Sequence, residues 1–393
     1  MMTMTSIVPG KLLPLILMGL LAAAPSFAQD VVPSAHHDYR VATVADGLEH
    51  PWAIAFLPEG DILVTERPGR LRIVRDGTLL PNAVPGVPAV RAEGQGGLLD
   101  VVLHPDFASN RLLYLSFSKP NADGSESTTA VVRGRFENDE LLDVEEIFEA
   151  QVWSEGRGHY GSRLAFDRDG YLFITVGDRQ VDPSENQESH PAQLLTSHHG
   201  KVVRLHDDGT VPTDNPFADQ SDALPEIWSY GHRNPQGLAI HPESNDVWVT
   251  EHGPQGGDEL NLVQPGANYG WPVVGYGVNY GSGAALHRGT MGTGMEDPVR
   301  FWVPSIGASG LIVYTGDQFP SWQGNLLAGG LALQQIARLT MDGREVTAEE
   351  TILRDVGRVR DLRQGPDGYI YVAIDDRQGG ATPIVRLEPA SAQ

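Results

Sequence analysis

A single histidine stands among glycines in Gly156-Arg157-Gly158-His159-Tyr160-Gly161-Ser162-Arg163, just ahead of an apolar run. Glycines let backbone approach a ligand closely, and an imidazole is suited to moving a proton near pH 7. Asp178 closes the next apolar run, Thr175-Val176-Gly177-Asp178, where it could orient His159. The stretch Trp228-Ser229-Tyr230-Gly231-His232-Arg233-Asn234-Pro235-Gln236-Gly237 has little apolar pattern, and Arg233 and Asn234 beside glycines suit ligand-facing donors. The segment from Glu251 through Gly253 and Pro254 to Glu259, then Asn268-Tyr269-Gly270, offers carboxylates and backbone carbonyls, the ligands calcium takes. It is not an EF-hand, because the alternating acidic positions are missing. Arg358 and Arg360 alternate on a strand and so share a face, which suits a small anionic ligand. Gln95, in Gly94-Gln95-Gly96-Gly97, is a further polar contact beside flexible backbone. Each segment also has a plain alternative: a surface-loop histidine, a turn aspartate, a solvated acidic loop, or arginines in surface salt bridges.

The elements that must position these residues recur. Ile54–Glu66, Leu164–Val176, Leu238–Glu251 and Leu362–Ala373 each read as an apolar strand, a turn rich in Pro, Asp, Asn or Gly, and a second β-rich strand. Val102–Ser116 is a looser copy, and Gly310–Ala328 supplies one more. One hairpin cannot bury both its faces, whereas a ring of four-stranded sheets can. The count of about six units at this spacing predicts an all-β fold. It is a six-bladed β-propeller with four-stranded antiparallel blades, forming one domain over residues 29–393. The insertions near 179–225 and 255–300 are expected on the top face, where loops converge on an axial mouth.

Composition narrows the function. The formal net charge is −23, which excludes a nucleic-acid partner and disfavours an anionic membrane surface. With no cysteine, disulfides, thiolate metal sites and cysteine nucleophiles are excluded. Residues 1–28 read as a signal peptide: Lys11, an apolar run from Leu12 to Ala24, and Ser26-Phe27-Ala28 before the expected cleavage. The mature chain is expected to be periplasmic or secreted, with no membrane span after cleavage.

The strings GQGGLLDVVLHPDF, HYGSRLAF, TVGDR, WSYGHRNPQGLA, EHGPQGGDELNL, GANYGWP and GRVRDLRQGPDG occur in that order from Gly94 to Gly368. As a set they resemble the soluble quinoprotein glucose/sorbosone dehydrogenase family, most closely its aldose sugar dehydrogenase branch. The resemblance implies a six-bladed propeller that holds pyrroloquinoline quinone (PQQ) and Ca2+ and oxidises an aldose substrate to a lactone. It implies His159 as general base, Asp178 as its carboxylate partner, and Arg233 beside the quinone with Asn234 next to it. Gln95 is then a cofactor-side and substrate-side contact, and Arg358 and Arg360 bind the cofactor's carboxylates. Gly253 and Pro254 would bind the cofactor calcium through backbone carbonyls, and Glu259 and Tyr269 a separate, structural calcium. An external electron acceptor follows from the chemistry, and a monomer or homodimer is expected. Two positions depart from the glucose-type pattern: Ala332 stands where those members carry a lysine that reaches the cofactor, and Gly158 where some carry an acid. A calcium-dependent lactonase and a non-catalytic ligand-binding propeller remain as alternatives.

Overall fold

The computed structural model describes residues 30–183 and 186–390; the expected signal peptide, 1–28, lies outside them. Six four-stranded antiparallel sheets form a ring, as the repeat predicts. The innermost strands of blades one to six are Pro51–Phe56, Leu98–Leu103, Leu164–Phe166, Pro235–Ile240, Ala308–Val313 and Arg358–Gln364. Each pairs with the next strand in sequence, so every hairpin read from the sequence is the inner hairpin of a blade. Its turn needs glycine for conformation rather than space: Gly60 and Gly170 have φ of 103° and 84°, and a side chain there would meet nothing. The ring closes on itself because Tyr39–Glu49, near the start of the described residues, becomes the outer strand of blade six by pairing with Ala381–Pro389.

Inner strands are packed on both faces, so Pro51–Phe56 and Ile62–Glu66 are buried almost throughout. Outer strands face water, and Glu345–Ile352 is mostly exposed or half-buried. The apolar core accordingly lies in the seams between blades; Trp52, Leu63 and Leu71 of blade one, for example, pack with Leu99, Val101 and Leu113 of blade two.

Near the top of the ring one side chain bridges each seam. Thr65 accepts from Ala53 N and donates to Leu99 O. Ser116 donates to Ser162 O, Thr175 to Pro235 O, Thr250 to Ser309 O and Ser309 to Val359 O. Asp361 closes the circle by accepting from Ile54 N at 3.0 Å. In five of the six inner hairpins the register shifts at this level. Such bulges re-aim side chains. Those at Pro235/Gly237 and Val359/Asp361 accompany the placement of Gln236 and Arg360 in the axial cleft.

One insertion departs from expectation. Residues 179–225 are not one top-face loop, because Lys201–Leu205 intervenes as the third strand of blade three. The part after it leaves from the opposite end of the blade; Tyr114, near the lower end of its strand, donates to Asp207 O. The other insertion does reach the mouth. It climbs along the edge of Ile227–Tyr230, with Tyr269 N on Tyr230 O and Trp271 N on Gly231 O. No helix among the described residues is long and apolar enough to cross a membrane.

Candidate active site

The loop carrying His159 enters blade three from the top. His159 has a φ of 51°, in the left-handed region, and its carbonyl packs against Gly177. A Cβ at Gly177 would lie 2.2 Å from that oxygen, so only glycine fits. Gln95 Oε1 accepts from His159 N at 2.9 Å and fixes the loop from blade two. His159 Nδ1 meets Asp178 Oδ1 at 2.6 Å, while Asp178 Oδ2 accepts from Trp271 Nε1 at 2.8 Å. With Nδ1 committed to the carboxylate, Nε2 is the ring nitrogen left for the hollow that His159 lines.

Burial holds the His159 pKa below its ordinary 6.5; Asp178 pulls it up and Arg233 pushes it further down. Burial raises Asp178, but the charge of His159, its hydrogen bond and Arg233 outweigh burial and leave the carboxyl below its usual range. The pair therefore stands as a neutral imidazole against an ionised carboxylate. That gives His159 Nε2 an unprotonated lone pair, the form a general base needs.

Arg233 lies over Trp271, 5.1 Å from the ring centre, and donates to His252 O at 3.1 Å and Gly253 O at 2.7 Å. Its Nε is buried without a partner. Behind it, Ser229, His232 and Glu251 form a row at 2.9 and 2.8 Å, and Glu251 accepts from Arg233 N at 2.6 Å. Ser229 and His232 are wholly buried, so this row braces the arginine and presents no nucleophile.

Beyond Arg233 the hollow at His159 adjoins a cleft of about 460 Å³, the two sharing Gln95, His252 and Tyr280. Asn234, Arg358 and Arg360 line this cleft. Arg360 donates to Gln236 Oε1 at 2.7 Å, and Arg358 to Leu331 O at 3.1 Å. Burial, with Arg67, Arg358 and Arg163 nearby, pushes Arg360 down to about 9 despite Asp375.

Of the residues whose carbonyls are expected to hold a cation, Pro254 lines the hollow at His159, and Gly253 and Pro254 both line a small void beside Arg233. A Cβ at Gly253 would lie 2.2 Å from Gly257 O, so the loop closes tightly only on glycine. Gly253 O accepts from Arg233, and Pro254 O from the Tyr280 hydroxyl at 3.0 Å. Glu259 lies directly across the strands from Glu251, and Asn261 Nδ2 bonds both carboxylates at 3.0 and 3.2 Å. Burial and the charge of Glu251 push the Glu259 carboxyl well up. The Asn261 Oδ1 is buried and unpartnered, and a void of about 20 Å³ lies between Glu251, Glu259 and Tyr269. The Tyr269 hydroxyl is spent on Leu262 O and Gln264 N, so a ligand from Tyr269 would be its backbone carbonyl.

The structure thus brings His159, Asp178, Arg233, Asn234, Gln95, Arg358, Arg360 and Pro254 around two joined hollows, with Gly253, Glu259 and Tyr269 at the small void that Arg233 and Pro254 also line. Sequence reasoning gave no role to Trp271 as the second anchor of Asp178, to Tyr280 on Pro254 O, or to Arg67 and Arg377 in the cleft. The position of Arg67 just past the first repeat was the signal available for it.

A propeller with these axial residues defines a sugar-oxidoreductase architecture, and the chain belongs to the Glucose / Sorbosone dehydrogenase family, whose model matches residues 48–386. It is 46% identical to the aldose sugar dehydrogenase YliI of Escherichia coli over 86% of this chain and 91% of that protein. The apo structure of the soluble E. coli aldose sugar dehydrogenase superposes with a TM-score of 0.83 at 42% identity, covering 90% of this chain and 100% of that one. The PQQ-bound aldose sugar dehydrogenase of Streptomyces coelicolor gives 0.70 at 29% identity, covering 91% and 99%.

Proposed function

We propose that the protein oxidises aldose sugars at the anomeric carbon to lactones, with PQQ and Ca2+ held in the axial cleft. The observation that carries this is the juxtaposition of His159, tied to Asp178, with an adjoining cleft walled by arginines. The residues suit both groups. Buried Arg233 and Arg67 nitrogens without partners await an acceptor, and the arginines match a tricarboxylate. The carbonyls of Gly253 and Pro254 suit a hard cation once Arg233 and Tyr280 release them. When bound, PQQ supplies the hydride acceptor and calcium a Lewis acid beside it.

The chain's own residues handle the sugar and the proton. His159 Nε2 takes the proton of the anomeric hydroxyl. Asp178 stabilises the resulting imidazolium through Nδ1, and Trp271 and Gln180 N hold Asp178 in place. Gln95 keeps the histidine loop at the mouth, and Arg233 places a fixed positive charge where negative charge develops. Asn234 accepts from Gly161 N and ties that loop to blade four. Arg358 and Arg360 bind carboxylates at the far end. Glu259, Glu251 and the Tyr269 carbonyl hold a second calcium that stiffens the wall behind Arg233. Export and an external electron acceptor belong to the same reading, with the mature propeller over 29–393 as one unit.

His159→Ala and His159→Gln test the role of the base. Aldose turnover with a dye acceptor should fall by about 10²–10⁴-fold while PQQ binding persists. Unchanged turnover in either variant removes His159 from the chemistry.

A further inference from the structure

Ala332, where the resemblance to glucose-type members implies a lysine, brings no charge to the cleft it lines, and the structure offers charge elsewhere in the same cleft. Four arginines line or reach it: Arg67, Arg358, Arg360 and Arg377. Two carboxylates face them. Both oxygens of Asp258 are spent on Gly253 N, Gly307 N and Ala308 N. Asp375 already meets His50 at 2.8 Å and Arg358 at 3.5 Å. Arg67 and Arg377 make no ion pair among the described residues, and Arg67 Nε is buried without a partner.

The ring symmetry explains where these two come from. Pro51 pairs with Glu66, Pro235 with Glu251, Ala308 with Gly330 and Arg358 with Asp375, each marking the top of an inner hairpin. One residue past that mark stand Arg67 in blade one and His252 in blade four. Two past it stand Ala332 in blade five and Arg377 in blade six. Arg377 therefore holds, one blade on, the position that Ala332 holds in its own. Arg67 is fixed through its backbone: its N donates to His50 O at 3.1 Å and its carbonyl accepts from Leu98 N at 3.2 Å. Gly97 is pressed so close to it that a Cβ would lie 2.0 Å from Arg67 O.

We infer that Arg67 and Arg377 are carboxylate-binding residues of this cleft, taking over from blades one and six the charge that blade five lacks at Ala332. The inference rests on the PQQ reading above and adds two ligand contacts to it.

The test is equilibrium titration with PQQ at saturating calcium, followed by quenching of tryptophan fluorescence. Arg67→Met and Arg377→Met should each raise the dissociation constant about tenfold or more, and Arg67→Lys by less. Ala332→Lys should tighten binding and largely rescue Arg377→Met. Arg377 is exposed at the rim, so its variant keeps the fold even where Arg67→Met does not. If the unaltered protein binds PQQ and both Met variants bind it equally well, the inference falls and the cofactor reading stands. If the unaltered protein fails to bind PQQ, both fall.

Discussion

Arginines meet on the propeller axis at two levels, and the levels differ in how their charge is balanced. At the floor, Arg163 and Arg363 alternate with Asp100 and Asp361, with contacts of 2.7 to 3.4 Å around the set. All four are held among inner strands, and Arg363 is raised above the ordinary arginine range because the two aspartates more than offset burial. At the mouth, four arginines line a cleft in which Asp375 pairs with Arg358 alone among them, and burial lowers Arg360 to about 9. The same residue type is structural where each charge has its partner and is left for a ligand where it does not. A balanced set can be buried for good; an unbalanced one costs stability that an anion returns on binding.

The comparison can be broken at either level. The largest effect belongs to the floor: Asp361→Ala leaves Arg163 and Arg363 short of an acceptor and should cost about 3–5 kcal/mol in chemical denaturation. A loss below about 1 kcal/mol would mean that the floor is not a stabilising network. At the mouth, Arg360→Met should leave the stability of the cofactor-free protein within about 1 kcal/mol or raise it, while weakening PQQ about tenfold or more. A large stability loss there would erase the distinction.

The next effect is in pH. His159 is neutral above its pKa, and burial has moved that pKa below 6.5. The acid limb of kcat/KM should therefore fall only below pH 6.5, as the imidazole gains a proton. Asp178→Asn removes the charge that raises His159, so the limb should move lower still while the rate drops. The smallest effect is at Tyr280→Phe. Losing one neutral hydrogen bond of about 1 kcal/mol to Pro254 O should free that carbonyl and tighten calcium several-fold, read from calcium-dependent shifts in Tm. Weaker calcium binding would instead make the hydroxyl a supporting contact.

Much of this was legible in the sequence because local chemistry repeats. The turns at Gly60, Gly170 and Gly368 punctuate the inner hairpins, so the blade count could be read directly. His159 and Asp178 were legible as neighbours because one hairpin, Leu164–Phe166 with Leu172–Val176, separates their loops and returns the chain to the same end of the blade. What stayed hidden depends on ring closure or on long insertions. Trp271 reaches Asp178 across 93 residues of sequence. Tyr39–Glu49 completes the last blade only through pairing with the far end of the chain. Arg67 becomes a neighbour of Arg358 only when blade one meets blade six, whereas Arg377 comes beside Arg358 through the inner hairpin of blade six itself. The insertion at 179–225 misled because the buried strand Lys201–Leu205 sits inside a long polar stretch.

The most direct measurement is reconstitution of the mature protein with PQQ and calcium, followed by aldoses and an artificial dye acceptor. Dye reduction that requires sugar, PQQ and calcium together is the predicted result. No reduction and no spectral sign of PQQ binding would contradict the account, and the arginines at the mouth would then serve some other anion.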